Sequence, residues 1–208
     1  GTAVLVLPLG HPVRMAEEVA TVDHISGGRF DLGVGRSSFP GSYQGYDVPY
    51  GESRDRFHEY LQVMRRAWTQ DRFSYEGKYY TFEDVCLVPK PFQKPHPPLR
   101  VAVTTRDSFP VMGELGLPVF VGLRSMVVDQ LVGCVQTYRE AWRKAGHAGE
   151  GDVVLRMPVH VAESNEIAVG QAEASTLHSI ARIRRAYSKS VDKVGKGEAE
   201  RSDKQERI

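Results

Sequence analysis

Cysteine is nearly absent: Cys86 and Cys134 are the only two in 208 residues, and neither sits in a CxxC or histidine-rich spacing. That scarcity excludes a disulfide scaffold and a cysteine-built zinc site, and it fits a reducing cytoplasmic setting in which each thiol is a small buried hydrophobe. Charge of one sign is lacking too. A formal net charge of +1 leaves no global field to gather nucleic acid or an anionic membrane surface. No apolar run approaches the ~20 residues that span a bilayer, and no signal-peptide pattern is present. The seven histidines show neither HxxxH nor HxH pairing, which argues against a metal site. Also missing are a GxSxG elbow, a Walker loop, a GxGxxG turn, a carboxylate pair suited to acid–base work and any repeat of fixed period. What is there is a chain 41% hydrophobic, able to bury a substantial core.

Its first residues, Gly1-Thr2-Ala3-Val4-Leu5-Val6-Leu7-Pro8, read as the end of a buried strand entering a loop. Pro12 opens a helix from Val13 to Ile25, with Val13, Ala16, Val19, Ala20 and Val22 as its apolar stripe and Gly27-Gly28 as its stop. A short strand over Arg29–Gly35 leads into a Gly/Ser/Pro/Tyr-rich loop, 36–51. There Phe39, Tyr43, Tyr46 and Tyr50 either line a pocket or pack the loop. The best helix follows, with Phe57, Tyr60, Leu61, Met64, Ala67 and Trp68 at helical spacing. Phe73–Tyr75 and Lys78–Phe82 flank a hairpin turn at Glu76-Gly77, and five prolines make Val88–Pro98 an extended connector. Strands at Leu99–Val103, Pro118–Gly122 and Val153–Ala162 alternate with helices at Phe109–Leu115 and Val127–Ala145. In the second helix Leu131, Val135, Tyr138 and Trp142 point inward. Such alternation with short connections predicts parallel β/α units, in a barrel or a doubly wound sheet. After Ser164 a helix is expected through Ile180 and on to Tyr187, and residues 188–208 read as a polar, disordered tail.

Three places put polar groups at the C-terminal ends of expected strands, where α/β folds build their sites. The first is Gly33-Val34-Gly35-Arg36: Gly35 allows a flat ligand close to the backbone, and Arg36 offers a planar fork suited to phosphate. The second is Thr104-Thr105-Arg106-Asp107-Ser108, where the Thr105 and Ser108 hydroxyls can face the free amides of a helix start. The third is Ser53-Arg54-Asp55-Arg56 at the head of the amphipathic helix, from which Arg54 can swing toward an anion. Each has an ordinary alternative: a surface ion pair for Arg36, plain capping by Ser108 or Asp107, a solvated helix face for Arg54. One phosphate, however, can use all three.

The run from Thr2 to Arg36, with Leu-Pro-Leu-Gly-His-Pro-Val-Arg at 7–14 and Gly-Gly-Arg-Phe-Asp-Leu-Gly-Val-Gly-Arg at 27–36, strongly resembles the bacterial luciferase-like family of flavin-dependent monooxygenases. Ser53-Arg54, Phe-Ser-Tyr-Glu-Gly-Lys-Tyr-Tyr at 73–80, Lys-Pro-x-x-Lys-Pro-His-Pro-Pro at 90–98 and Gly-Leu-Pro at 116–118 continue the likeness, which fades beyond about residue 165.

The resemblance implies a TIM-type (β/α)8 barrel, here spanning the end of strand 3 through strand 7, in a domain over residues 1–187. It implies reduced FMN as cosubstrate, O2 and a small organic substrate as reactants, a flavin reductase as partner, and a homodimer. Some relatives use the deazaflavin F420 instead. The family's flavin-phosphate positions fall on Arg36, Arg54, Thr105 and Ser108. Thr104 stands where the luciferase chain has an acidic residue, Gly35 where it has a cysteine, and Ala3-Val4 where the family often has a non-prolyl cis peptide under the flavin. The family's catalytic histidine has no counterpart in this sequence, so no catalytic residue is assigned. The expectation is therefore part of a longer polypeptide or a degenerate relative, with a non-catalytic flavin binder and a cofactor-free β/α interaction domain as rivals.

Overall fold

The computed structural model describes residues 1–123 and 126–194. In chain order its first elements are β1 (Leu5–Val6), α1 (Pro12–Ile25), β2 (Leu32–Gly35), α2 (Gly41–Gln44) and α3 (Ser53–Thr69). A hairpin of β3 (Phe73–Glu76) and β4 (Thr81–Val85) follows. Then come β5 (Leu99–Ala102), α4 (Ser108–Glu114), β6 (Val119–Gly122), α5 (Val128–Lys144), β7 (Val153–Arg156) and α6 (Asn165–Val194).

Five strands form one parallel sheet in the order β1-β2-β5-β6-β7, and β3 pairs with β4 antiparallel outside it. Register puts Val34 opposite Val101, Val101 opposite Val119, and Val119 opposite Val153, a β-branched row on one face. Leu32, Val34, Leu99, Val101, Val119 and Val121 enter the same core as Val19 of α1, Met64 and Trp68 of α3, Phe109 of α4 and Tyr138 of α5. The Trp68 indole N–H donates to the Ala16 carbonyl at 3.0 Å, joining α3 to α1 in the interior. Asp23, fully buried, ties α1 to the proline-rich connector by accepting from the Gln93 backbone N–H at 2.8 Å and side-chain amide at 2.7 Å.

Two close approaches explain glycines in β2. A Cβ on Gly33 would lie 2.1 Å from the Thr2 carbonyl oxygen, and one on Gly35 would lie 2.8 Å from Val4 Cγ2. The expected cis peptide at Ala3-Val4 is present, and Val88-Pro89 and Lys94-Pro95 are cis as well.

Several boundaries differ from expectation. The strand expected over 29–35 is confined to Leu32–Gly35. The 36–51 loop contains the short helix α2 and a 3-10 turn at Tyr50–Glu52. β7 ends at Arg156 rather than continuing to Ala162, because Arg156 pairs with Gly122, the last residue of β6, and no ladder partner follows among the described residues. The expected tail at 188–208 begins too early: α6 runs on to Val194, and Ser190 is buried against α2. Residues 195–208 lie outside those described. Cys86 is exposed, whereas Cys134 is buried as expected.

Candidate functional site: an anion cradle at the strand ends

β2 and β5 are parallel neighbours, so their C-terminal ends lie side by side, and Gly35 and Ala102 approach there (a Cβ on Gly35 would be 3.5 Å from that of Ala102). Arg36 leaves β2 at this end. Its Nη1 donates to Ser53 Oγ at 3.0 Å, and its guanidinium carbon lies 5.4 Å from the centroid of the Tyr50 ring. The Tyr43 hydroxyl donates to the Arg36 carbonyl, so main chain and side chain of the arginine are both gripped. Burial pushes the Tyr43 phenol well above its usual range, against the opposing pull of the Arg36 charge and a hydrogen bond with Ser53, so Tyr43 stays a neutral donor.

The head of α3 supplies the second part. Ser53 is fully buried, and Arg54 follows it, half-buried. One turn further, His58 is held below its ordinary pKa, first by burial and then by the charges of Arg54 and Arg36, with Asp55 opposing. That coupling puts Arg54, His58 and Arg36 in one electrostatic neighbourhood.

The end of β5 supplies the third. The Thr105 and Ser108 hydroxyls meet at 2.7 Å, both half-buried, while Thr104 is exposed. Asp107 precedes α4 without a side-chain capping bond, so capping by Asp107 does not describe this turn. Arg36 thus follows β2, the Thr105–Ser108 hydroxyl pair follows the adjacent β5, and Arg54 lies in the first turn of α3.

Gly35 has a packing role as well as the one read in the sequence: Val4 fills the space its missing side chain vacates, at the Ala3-Val4 bond. Of the loop aromatics, Tyr43 and Tyr50 are buried, Phe39 packs edge-on against Tyr187 of α6, and Tyr46 is exposed. Ser53, Tyr43 and Tyr50 as a group around Arg36 escaped the sequence reading. The only hint was a tyrosine-rich loop next to an arginine. An open groove of about 580 Å3 borders the Thr105–Ser108 turn between α4 and α5, lined by Arg106, Asp107, Asp129 and Cys134 among others.

The parallel α/β sheet carries polar side chains where its strands end, Arg36 after β2 and the Thr105–Ser108 hydroxyl pair after β5. Comparison with known proteins makes this specific: residues 1–207 match the luciferase-like monooxygenase family, and the chain belongs to it. It is 25% identical over 201 residues to the oxygenase component of the flavin-dependent trigonelline monooxygenase of Acinetobacter baylyi, covering 95% of this chain and 54% of that protein. Monooxygenase RslO1 from Streptomyces bottropensis superposes with a TM-score of 0.82 at 27% identity, over 93% of this chain and 59% of that one. The oxygenating constituent of 3,6-diketocamphane monooxygenase from Pseudomonas putida, solved with FMN, shares the fold at a TM-score of 0.71 and 20% identity, over 92% and 59% of the two chains. The chain therefore spans between half and three-fifths of the length of these relatives.

Proposed function

We propose that this chain serves a reduced-FMN-dependent monooxygenase built as a TIM-type barrel, acting on a small organic substrate with O2 in the cytoplasm. Reduced flavin would come from a separate reductase, and the assembly would be a homodimer. The observation that carries the reading is Arg36, fixed by Ser53 at the end of β2, whose parallel neighbour β5 leads into the hydroxyl pair of Thr105 and Ser108.

The donor set fits a phosphate monoester. Two guanidinium groups supply charge-assisted, fork-shaped donors, and the hydroxyls add neutral ones. His58, kept neutral at pH 7, adds no third cation. In this assignment Arg36 and Arg54 neutralise the FMN phosphate, while Thr105 and Ser108 satisfy its remaining oxygens and Thr104 lies alongside. Ala3, Val4 and Gly35 form the backbone wall beside the ring system. When bound, reduced flavin supplies two electrons and activates O2, so that one oxygen atom enters the substrate and the other leaves as water. The residues of this chain bind, orient and exclude water.

Titrating the protein separately with FMN and with F420, following fluorescence, tests the reading. FMN is expected to bind at micromolar concentration. The double substitution Arg36→Ala, Arg54→Ala should weaken it at least ~100-fold, the scale of losing two hydrogen bonds to a charged group. No binding of FMN, or unchanged affinity in the double variant, would sink the assignment. Preference for F420 would make the enzyme a hydride-transferring oxidoreductase, and the absence of substrate-dependent O2 consumption with FMNH2 would make it a passive flavin binder.

A further inference from the structure

We infer that Ser53, with Tyr43, is a positioning device for Arg36 that sets the chain's discrimination between phosphorylated and unphosphorylated flavin. The inference rests on the phosphate assignment proposed above and deepens it.

Arg36 is held at both ends. Its Nη1 donates to Ser53 Oγ, and the Tyr43 hydroxyl donates to its carbonyl. The Tyr50 ring flanks the guanidinium and meets Tyr43 edge-to-face at 5.1 Å, which limits swing sideways. Ser53 is 0% exposed and Tyr43 1%, so both hydroxyls are shielded from water on the protein side of the arginine.

The backbone is held as well. Ser37, immediately after Arg36, has φ 70, in the left-handed region, and its hydroxyl accepts from the Phe39 N–H at 3.2 Å. The next residues are clamped by α6: the Gly41 N–H donates to Ser190 Oγ at 2.6 Å, and Phe39 packs on Tyr187. The turn that launches the arginine is therefore fixed at both ends.

An unrestrained arginine carries substantial rotamer entropy that a bound anion must remove. Here that entropy is already lost on folding, so the guanidinium meets a phosphate with its geometry set in advance. Ser53 need not touch the ligand to matter. It acts through Arg36, and its effect should appear only with ligands that carry the phosphate.

The test compares dissociation constants for FMN and riboflavin in the parent protein, Ser53→Ala, Ser53→Thr and Tyr43→Phe. The parent should prefer FMN. Ser53→Ala should cut that preference by about tenfold, the lower end of what a hydrogen bond to a charged group contributes, with riboflavin affinity unmoved. Ser53→Thr should restore the preference, because the hydroxyl returns. Tyr43→Phe, which keeps the ring and loses only the hydroxyl, should narrow it in the same direction and carries the test if Ser53→Ala does not fold. A parent protein that binds both flavins equally would refute the phosphate assignment itself. A parent that discriminates, with the ratio unchanged in Ser53→Ala or Tyr43→Phe, would refute the positioning role alone.

Discussion

At the scale of single residues, the site is governed by how few cations are kept charged. Burial and the neighbouring Arg54 and Arg36 hold His58 below its ordinary value of ~6.5, and burial does the same to His96 against Trp68. The sign of the pH effect follows. Between the depressed folded-state value and ~6.5, the unfolded chain binds a proton that the folded chain refuses, so stability is full above ~6.5 and falls as pH drops through that window. Thermal unfolding from pH 7 to 5 should show this loss, and His58→Gln should flatten part of it. An identical slope in the variant would mean that His58 is not the group responsible. The arginines at 36 and 54 and the hydroxyls at 105 and 108 stand out as candidates in the sequence because donors at strand ends and helix starts have a recognisable chemistry. His58 does not, since only packing brings a histidine one turn along α3 into the field of an arginine from β2.

At the scale of elements, the tightest join is between α4 and α5. A Cβ on Gly113 would lie 2.3 Å from the Tyr138 carbonyl oxygen and 2.9 Å from Ala141 Cβ, so the two helices touch through a position that admits no side chain. Gly113→Ala should destabilise by about 1–3 kcal/mol, as overpacking a filled interface does. Gly133, an exposed glycine inside α5, has nothing within 4 Å of its added Cβ, and Gly133→Ala should stabilise by up to ~1 kcal/mol through helix propensity. Urea unfolding of the two variants measures the contrast, and equal effects would contradict it. Element identity was readable here: α1, α3, α4 and α5 lie where they were expected, whereas the second hairpin strand runs Thr81–Val85 rather than Lys78–Phe82, because residues 77–80 make the turn, closed by the Gly77 N–H on the Tyr80 carbonyl. Boundaries moved where neighbours decide them, as at the end of β7, which stops where β6 stops.

At the scale of the whole molecule, one ion cluster spans the sheet at the end opposite the site. Arg100 of β5 reaches Asp31, just before β2, and Asp152, just before β7, both at 2.8 Å. Burial works against the Arg100 charge, but the hydrogen bonds and charges of the two carboxylates raise its pKa. Both carboxylates are more than half exposed, so solvent screening limits the pair to about 1 kcal/mol or less. Arg100→Met should therefore lower Tm by a few degrees and leave flavin affinity unchanged. A large loss of flavin affinity would show that the two ends of the sheet are coupled after all.

Periodicity and turn chemistry, which are local in the chain, were enough for the parallel β/α plan, the helices and the existence of a hairpin, while the family resemblance pointed to the cis peptide at Ala3-Val4. Tertiary contacts were needed for Gly35 to make room for Val4, for α6 to clamp the loop after β2, and for Ser53 and Tyr43 to hold the two ends of Arg36. Each of those depends on residues distant in sequence meeting at a few ångströms, and spacing along the chain carries no record of such a meeting.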